Sequence, residues 1–404
     1  MTAATRVNGS GSRFGPWLFG ARVDLAVFTG SALVALLLSA AASALGVTEV
    51  SDWAWLALVL AIDVAHVHAT WFRTYFDVSE LRRHPARYAL VPLLAYIGGV
   101  CAYRAGMFWR VVAYLAVFHF VRQQVGWVAL YRARAGLRGS LERCVDEAAV
   151  YAATLYPLIV WHARSSEKHF SWLSPGDFVA LDLERILPAS TVLWALALAS
   201  FFARELRRLW LGQAMAVGRV LLVLSTAVTW YVGIVVNESD FVFTATNVIP
   251  HGVPYVWFLF AYTRERREQA PAPAALRVAG QSVAAFVCAL WVLAWVEEWA
   301  WDRWVDHDRV WLFGGHTAGE GPLTQWIAWL VPLLALPQVT HYLLDGLLWR
   351  RGARAEKSAL QRALGFGAHA GGAPSRVVDL AAGAGTDAGG AHEGYAGRVG
   401  GVHS

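Results

Sequence analysis

The sequence predicts an all-α fold: a polytopic helical bundle integral to a membrane. Three observations carry that prediction. The 404-residue chain is 57% hydrophobic and only 16% charged, where an ordinary soluble domain is roughly 25% charged. Apolar stretches of about 18 residues or more recur along most of its length, each long enough to cross a bilayer core as a helix. The charged residues between those stretches alternate in sign from one loop to the next. The short alternating segments of an outer-membrane barrel are absent.

About ten spans follow from the apolar runs. They lie near 23–46, 53–72, 88–105, 108–131, 147–163, 188–203, 217–236, 241–262, 279–297 and 324–349. The fifth and sixth are short, and Pro157 interrupts the fifth. Counted from a cytoplasmic N-terminus, the inside loops carry Arg73, Arg82, Arg83 and Arg87, then Arg132, Arg134, Arg138 and Arg143. Arg204, Arg207 and Arg208 come next, followed by Arg264, Arg266 and Arg267, and then by Arg350, Arg351, Arg354 and Lys357. The opposite loops hold Glu49, Asp52, Glu238, Asp240, Glu297, Glu298, Asp302, Asp306 and Asp308, with Arg104, Arg110 and the mixed stretch 164–187 as exceptions. This is the positive-inside distribution, and it places both termini in the cytoplasm.

Residues 1–21 read as a cytoplasmic N-terminal segment, 22–351 as the transmembrane domain, and the Gly/Ala-rich 352–404 as a flexible cytoplasmic tail. The tail histidines His369, His392 and His403 are set aside as ligands for that reason. The polar N-terminus and the long first apolar run do not read as a cleavable signal peptide. Cys101, Cys144 and Cys288 are far apart, so neither a disulfide framework nor a thiolate metal site is expected. A net charge of +5 reflects basic inside loops, and no nucleic-acid partner is expected. Trp291, Trp295, Trp299, Trp301, Trp304 and Trp311 read as interfacial anchors.

Polar residues inside these spans are the functional signal. Ionisable groups in a bilayer are costly, and they mark sites, relays or ligand pathways. In the second span, Asp63, His66, Thr70, Arg73 and Asp77 recur every three or four residues and share a face. His68 lies two residues from His66 and points to the opposite side, so the pair cannot chelate one ion on a regular helix. His66, whose tautomer Asp63 can fix, is the preferred ligand, and His68 is the second candidate.

The fourth span places His119, Arg122, Gln123 and Gly126 on one face. There, Arg122 is expected to neutralise charge near the site, and Gly126 to let a helix or ligand approach closely. The eighth span carries Asn247 and His251 at i, i+4, bracketed by Pro250 and Pro254, which free carbonyls and kink a helix. In the tenth, Gln338, His341 and Asp345 form another stripe, with interfacial pairing of Asp345 to Arg350 left open. At 1.5 Å per residue, His66 and His341 lie roughly 9–12 Å from their cytoplasmic ends, and His119 and His251 roughly 16–18 Å. All of them can meet at one centre near the midplane.

An imidazole-rich set with carboxylates and amides suits iron, zinc or copper rather than magnesium or calcium. The expected centre has His66, His119, His251 and His341 as ligands, with Asp63, Gln123, Asn247, Gln338 and Asp345 orienting them or completing the shell. An iron centre within the bilayer would act with an electron donor on a lipid or isoprenoid-like substrate, by hydroxylation, desaturation or oxidative cleavage. Three alternatives remain open: a transporter with a His/Asp proton relay, a membrane haem protein with Arg122 at a propionate, and a zinc hydrolase with Asp63 or Asp345 as general base. The HxxxH and HxxHH boxes of membrane desaturases are absent, as is HExxH. Glu297-Glu298 with Arg303 falls one residue off the glutamate motif of membrane CAAX-type proteases.

The ordered set HVHATWFRTYFD, FHFVRQQVGW, NVIPHGVPY and HYLLDGLLWR resembles a bacterial family of polytopic membrane proteins over most of the chain apart from its tail. That resemblance implies a multi-pass protein of the bacterial cytoplasmic membrane and carries no activity with it. One histidine per helix is also similar in architecture to membrane carotene-cleaving dioxygenases, whose iron is held by histidines from several helices, though none of their motifs carries over residue by residue.

Overall fold

The computed structural model describes residues 14–164, 177–179, 181–269, 272–314 and 324–348. The tail beyond 352, most of the N-terminal segment, His169 and His316 therefore lie outside the described residues, as does Arg350. Among the described residues the chain is helical, with one isolated bridge between Phe14 and Met215.

The main helices are α1 (Ala21–Leu45), α2 (Asp52–Arg73), α3 (Pro85–Arg104), α4 (Phe108–Arg134), α5 (Ser140–Ala163), α6 (Glu184–Trp210), α7 (Val217–Val236), α8 (Asp240–Arg267) and α9 (Val283–Asp306). A bent pair, α10 (Ile327–Leu334) and α11 (Leu336–Leu348), closes the order. Seven of these are long and apolar enough to cross a membrane, and eight if the pair, bent by 46°, counts as one span.

The two long helices outside that set, α4 and α8, bear His119 and His251. Their polar content has a structural counterpart. α8 packs against α1, α2 and α7 at once, and much of its length is buried. A polar helix is tolerated in a bundle when protein, rather than lipid, surrounds it.

Local chemistry sets the helix ends. Ser51, Ser239 and Ser282 accept hydrogen bonds from the backbone N–H of Ala54, Val242 and Ala285 at the starts of α2, α8 and α9, satisfying donors that have no partner within the helix. Pro85 opens α3, where its missing N–H costs nothing. Pro250 and Pro254 lie inside α8, which stays helical through both.

The largest apolar cluster includes Phe28, Trp127, Tyr131 and Phe258, and joins α1, α4 and α8. Two ionic locks hold the polar ends. Arg219 is fully buried, donates to Asp146 at 3.0 Å and also meets Glu205. Asp77, just past α2, accepts from Arg266 Nε at 2.7 Å and from Tyr262 at 3.1 Å. Burial pushes the Asp77 carboxyl up, but its hydrogen bonds to Arg266 and Ser79 outweigh that and hold it below the usual carboxylate range.

Candidate metal centre

His66 on α2, His119 on α4, His251 on α8 and His341 on α11 meet in the bundle interior, each no more than 3% exposed. One ring nitrogen from each lies within 4.8 Å of all the others. The Nε2 atoms of His66 and His251 are 3.1 Å apart, as are those of His119 and His341. The rings form a closed quartet: centroid separations run 4.7 Å (His66–His251), 5.1 Å (His251–His119), 4.5 Å (His119–His341) and 5.0 Å (His341–His66).

Backbone contacts make this convergence possible. A Cβ at Gly252, next to His251, would stand 2.7 Å from Ile62 Cγ2 and 3.6 Å from His66 Cβ. The missing side chain is what lets α8 approach α2 closely enough for their histidines to touch. α2 is π-helical over Trp55–Val64 and α-helical from Ala65. His66 and His68 therefore sit on a regular turn and diverge, as their spacing requires.

One outward ring nitrogen, that of His341, has a hydrogen-bond partner that fixes its tautomer. His341 Nδ1 is 2.7 Å from Thr70 Oγ1, which is 2.8 Å from the Tyr255 hydroxyl. Tyr255 donates to Asp345 Oδ1 at 3.0 Å. Read toward the carboxylate, this chain has each group donating to the next and leaves the proton of His341 on Nδ1. Its Nε2 lone pair then faces the centre. Asp345 also lies 3.7 Å from His119 Nδ1, and Asp63 lies 3.6 Å from His66 Nδ1. Phe120 stacks on His251 at 3.8 Å, and Tyr342 lies 5.0 Å from His119.

The fit to a metal ion is chemical as well as geometric. Four imidazoles turn their Nε2 atoms toward one another in two close pairs, a donor set that one cation can share. Donors about 2.0–2.1 Å from one ion stand about 3–4 Å from each other; the two closest pairs, at 3.1 Å, match that scale, and the whole set lies within 4.8 Å.

Other residues singled out from the sequence fall elsewhere. Gln123 is buried, and its Nε2 lies 3.5 Å from the His251 carbonyl. Asn247 donates to the Phe243 carbonyl at 2.8 Å, and Gln338 to the Tyr342 hydroxyl at 2.9 Å. These amides brace helices rather than point a donor into the quartet. His68 leaves the quartet and lies against Glu297 of α9.

Two expectations require correction. Arg122 is exposed and donates to the Tyr151 hydroxyl at 2.8 Å. One residue of rotation separates it from buried Gln123, and that turns it outward. A Cβ at Gly126 would meet nothing within 4 Å, so no helix packs closely on this glycine among the described residues. Sequence reasoning passed over Tyr255 and Tyr342. Tyr255, one helical turn beyond His251, was detectable by spacing. Glu297, which reads as a loop carboxylate by charge pattern, lies within α9.

No family model matches the chain, and neither a curated protein nor a solved structure matches it.

Proposed function

We propose that this protein is an integral-membrane, metal-dependent oxidoreductase with a non-haem iron on His66, His119, His251 and His341. It acts on a lipid or isoprenoid-like substrate by hydroxylation, desaturation or oxidative cleavage, supplied by an external electron donor. The observation that carries this reading is the closed quartet of buried imidazoles, contributed by four different helices.

The donor set favours iron over its rivals. Four nitrogens leave positions open on a six-coordinate ion, whereas on tetrahedral zinc they close the shell and leave no place for a hydrolytic water. Haem fits poorly, because two imidazoles of the quartet would occupy the plane its macrocycle needs. Bound iron would supply one-electron and dioxygen chemistry. The chain's own residues do the rest: Thr70, Tyr255 and Asp345 hold the His341 ring, while Phe120 and Tyr342 keep the centre dry.

A narrow cleft, with room for about one water molecule, reaches His251 between Phe120, Thr226, Trp230 and Asn247. The chain crosses a bacterial cytoplasmic membrane ten times with both termini inside, a topology supported by the loop charges and by helices at each apolar segment.

The relay reading has one specific support, the His341–Thr70–Tyr255–Asp345 chain, which is also a proton path in geometry. Incubating the iron-loaded protein with lipid and isoprenoid extracts under ¹⁸O₂ tests the oxidoreductase reading. Isotope in an organic product, or a desaturated product formed only with oxygen and a reductant, is expected. Proton flux in vesicles from metal-free protein, without any oxidised product, would replace it with the relay.

A further inference from the structure

His68 is only 2% exposed, and the four-histidine quartet makes no use of it. Its Nε2 lies 2.8 Å from Glu297 Oε2, a carboxylate whose side chain is 11% exposed. An ordinary buried ion pair at that distance directs the N–H at the oxygen. Here neither atom has a hydrogen-bond partner, and His68 Nδ1 has none either, among the described residues. The nitrogen and the oxygen are adjacent without pointing at one another.

That is the relation of two ligands on one ion. Donors about 2.0–2.1 Å from a common metal and about a right angle apart are about 2.9 Å from each other. A purely structural pair would leave three buried polar atoms without partners, a costly outcome that native interiors avoid.

The surroundings are rich in carboxyl groups. Asp63 lies within electrostatic reach of both Glu297 and Glu298. The same Asp63 stands 3.6 Å from His66 of the quartet. It is therefore a neighbour of both the quartet and Glu297. The Trp71 ring packs edge-on to His68 at 4.7 Å.

We propose that His68 and Glu297 form a second cation site, for a divalent transition metal, distinct from the four-histidine centre and linked to it through Asp63. A nitrogen and a carboxylate from two helices suit zinc, iron or cobalt. Two protein ligands leave most of the coordination shell to water or to a substrate oxygen, so this ion binds more weakly than the one on the quartet.

The test is a Co²⁺ titration of the full-length, metal-free protein in detergent, read by visible absorption and by bound cobalt per chain. The expected result is about two equivalents for the wild type, one tight and one weak, and about one for Glu297→Gln, with the weak one lost. His119→Ala is expected to lose the tight equivalent and keep the weak one. If Glu297→Gln is not recovered folded, His68→Gln is read in the same way.

One equivalent in the wild type, unchanged in Glu297→Gln and lost in His119→Ala, would overturn the second site and leave the four-histidine centre standing. A single equivalent lost in Glu297→Gln and kept in His119→Ala would do the reverse.

Discussion

Metal binding depends on which nitrogen of each histidine faces inward. His341 is the best-determined case, because Thr70 Oγ1, 2.7 Å away, accepts a hydrogen bond from its Nδ1–H. Thr70→Val keeps the shape and removes the acceptor. It is expected to weaken metal binding about 10–100-fold, the usual effect of losing a partner behind a ligand, as measured by competition with a chelating dye. Gly252→Ala acts differently, since its new methyl meets Ile62 at 2.7 Å. It should push α8 from α2 and lower metal occupancy, with a double variant carrying Ile62→Ala recovering much of it. His307→Ala, at the residue just past the end of α9 and outside the quartet, should retain metal at the wild-type level.

Much of this site was legible in the sequence, for a definite reason. Helical spacing fixes which residues share a face, so the stripes of Asp63 with His66 and of His341 with Asp345 could be read directly. The same rule separated His66 from His68. Spacing does not fix where a face points once helices pack. Arg122 and Gln123 are adjacent in sequence, yet one is exposed and the other buried. Contacts between distant helices, such as Tyr255 with Asp345 or His68 with Glu297, depend on packing that one chain's periodicity does not encode.

At the element scale, the polar helices α4 and α8 hold the site because apolar neighbours shield them. The lock at the α2 end illustrates the energetics. Asp77 is buried and tied to Arg266 and Tyr262. Asp77→Ala leaves that arginine without its carboxylate and is expected to cost about 3 kcal/mol of stability, as removal of one member of a buried pair does. The pH dependence follows from the direction of its shift. A carboxyl held below its unfolded value of about 3.9 contributes stability that is complete above that value. The contribution is lost as pH falls through the lower, folded value. Thermal unfolding in detergent between pH 6 and 3 should show an acid-side loss in the wild type that Asp77→Ala lacks.

At the scale of the whole molecule, the charge distribution and the helix set describe a multi-pass bundle with its centre among four helices. Segment positions were readable because most apolar runs are long and loop-bounded. The bend between α10 and α11 was not, since no periodicity distinguishes one tilted span from two joined helices. The native cysteines report topology. Cys101 and Cys144 are both exposed and lie on opposite sides in the ten-span arrangement. In single-cysteine variants, a membrane-impermeant thiol reagent should label Cys101 in intact cells and Cys144 only in inverted vesicles. Labelling of both from one side would remove that topology.

Elemental analysis with an absorption spectrum, on detergent-purified wild type and His119→Ala never exposed to chelator, reads whether the four buried imidazoles hold a metal. Tightly held iron near one per chain is expected in the wild type, with no Soret band and with loss of the iron in His119→Ala. A folded wild type that retains no metal, or equal metal content in both proteins, would rule out the four-histidine centre.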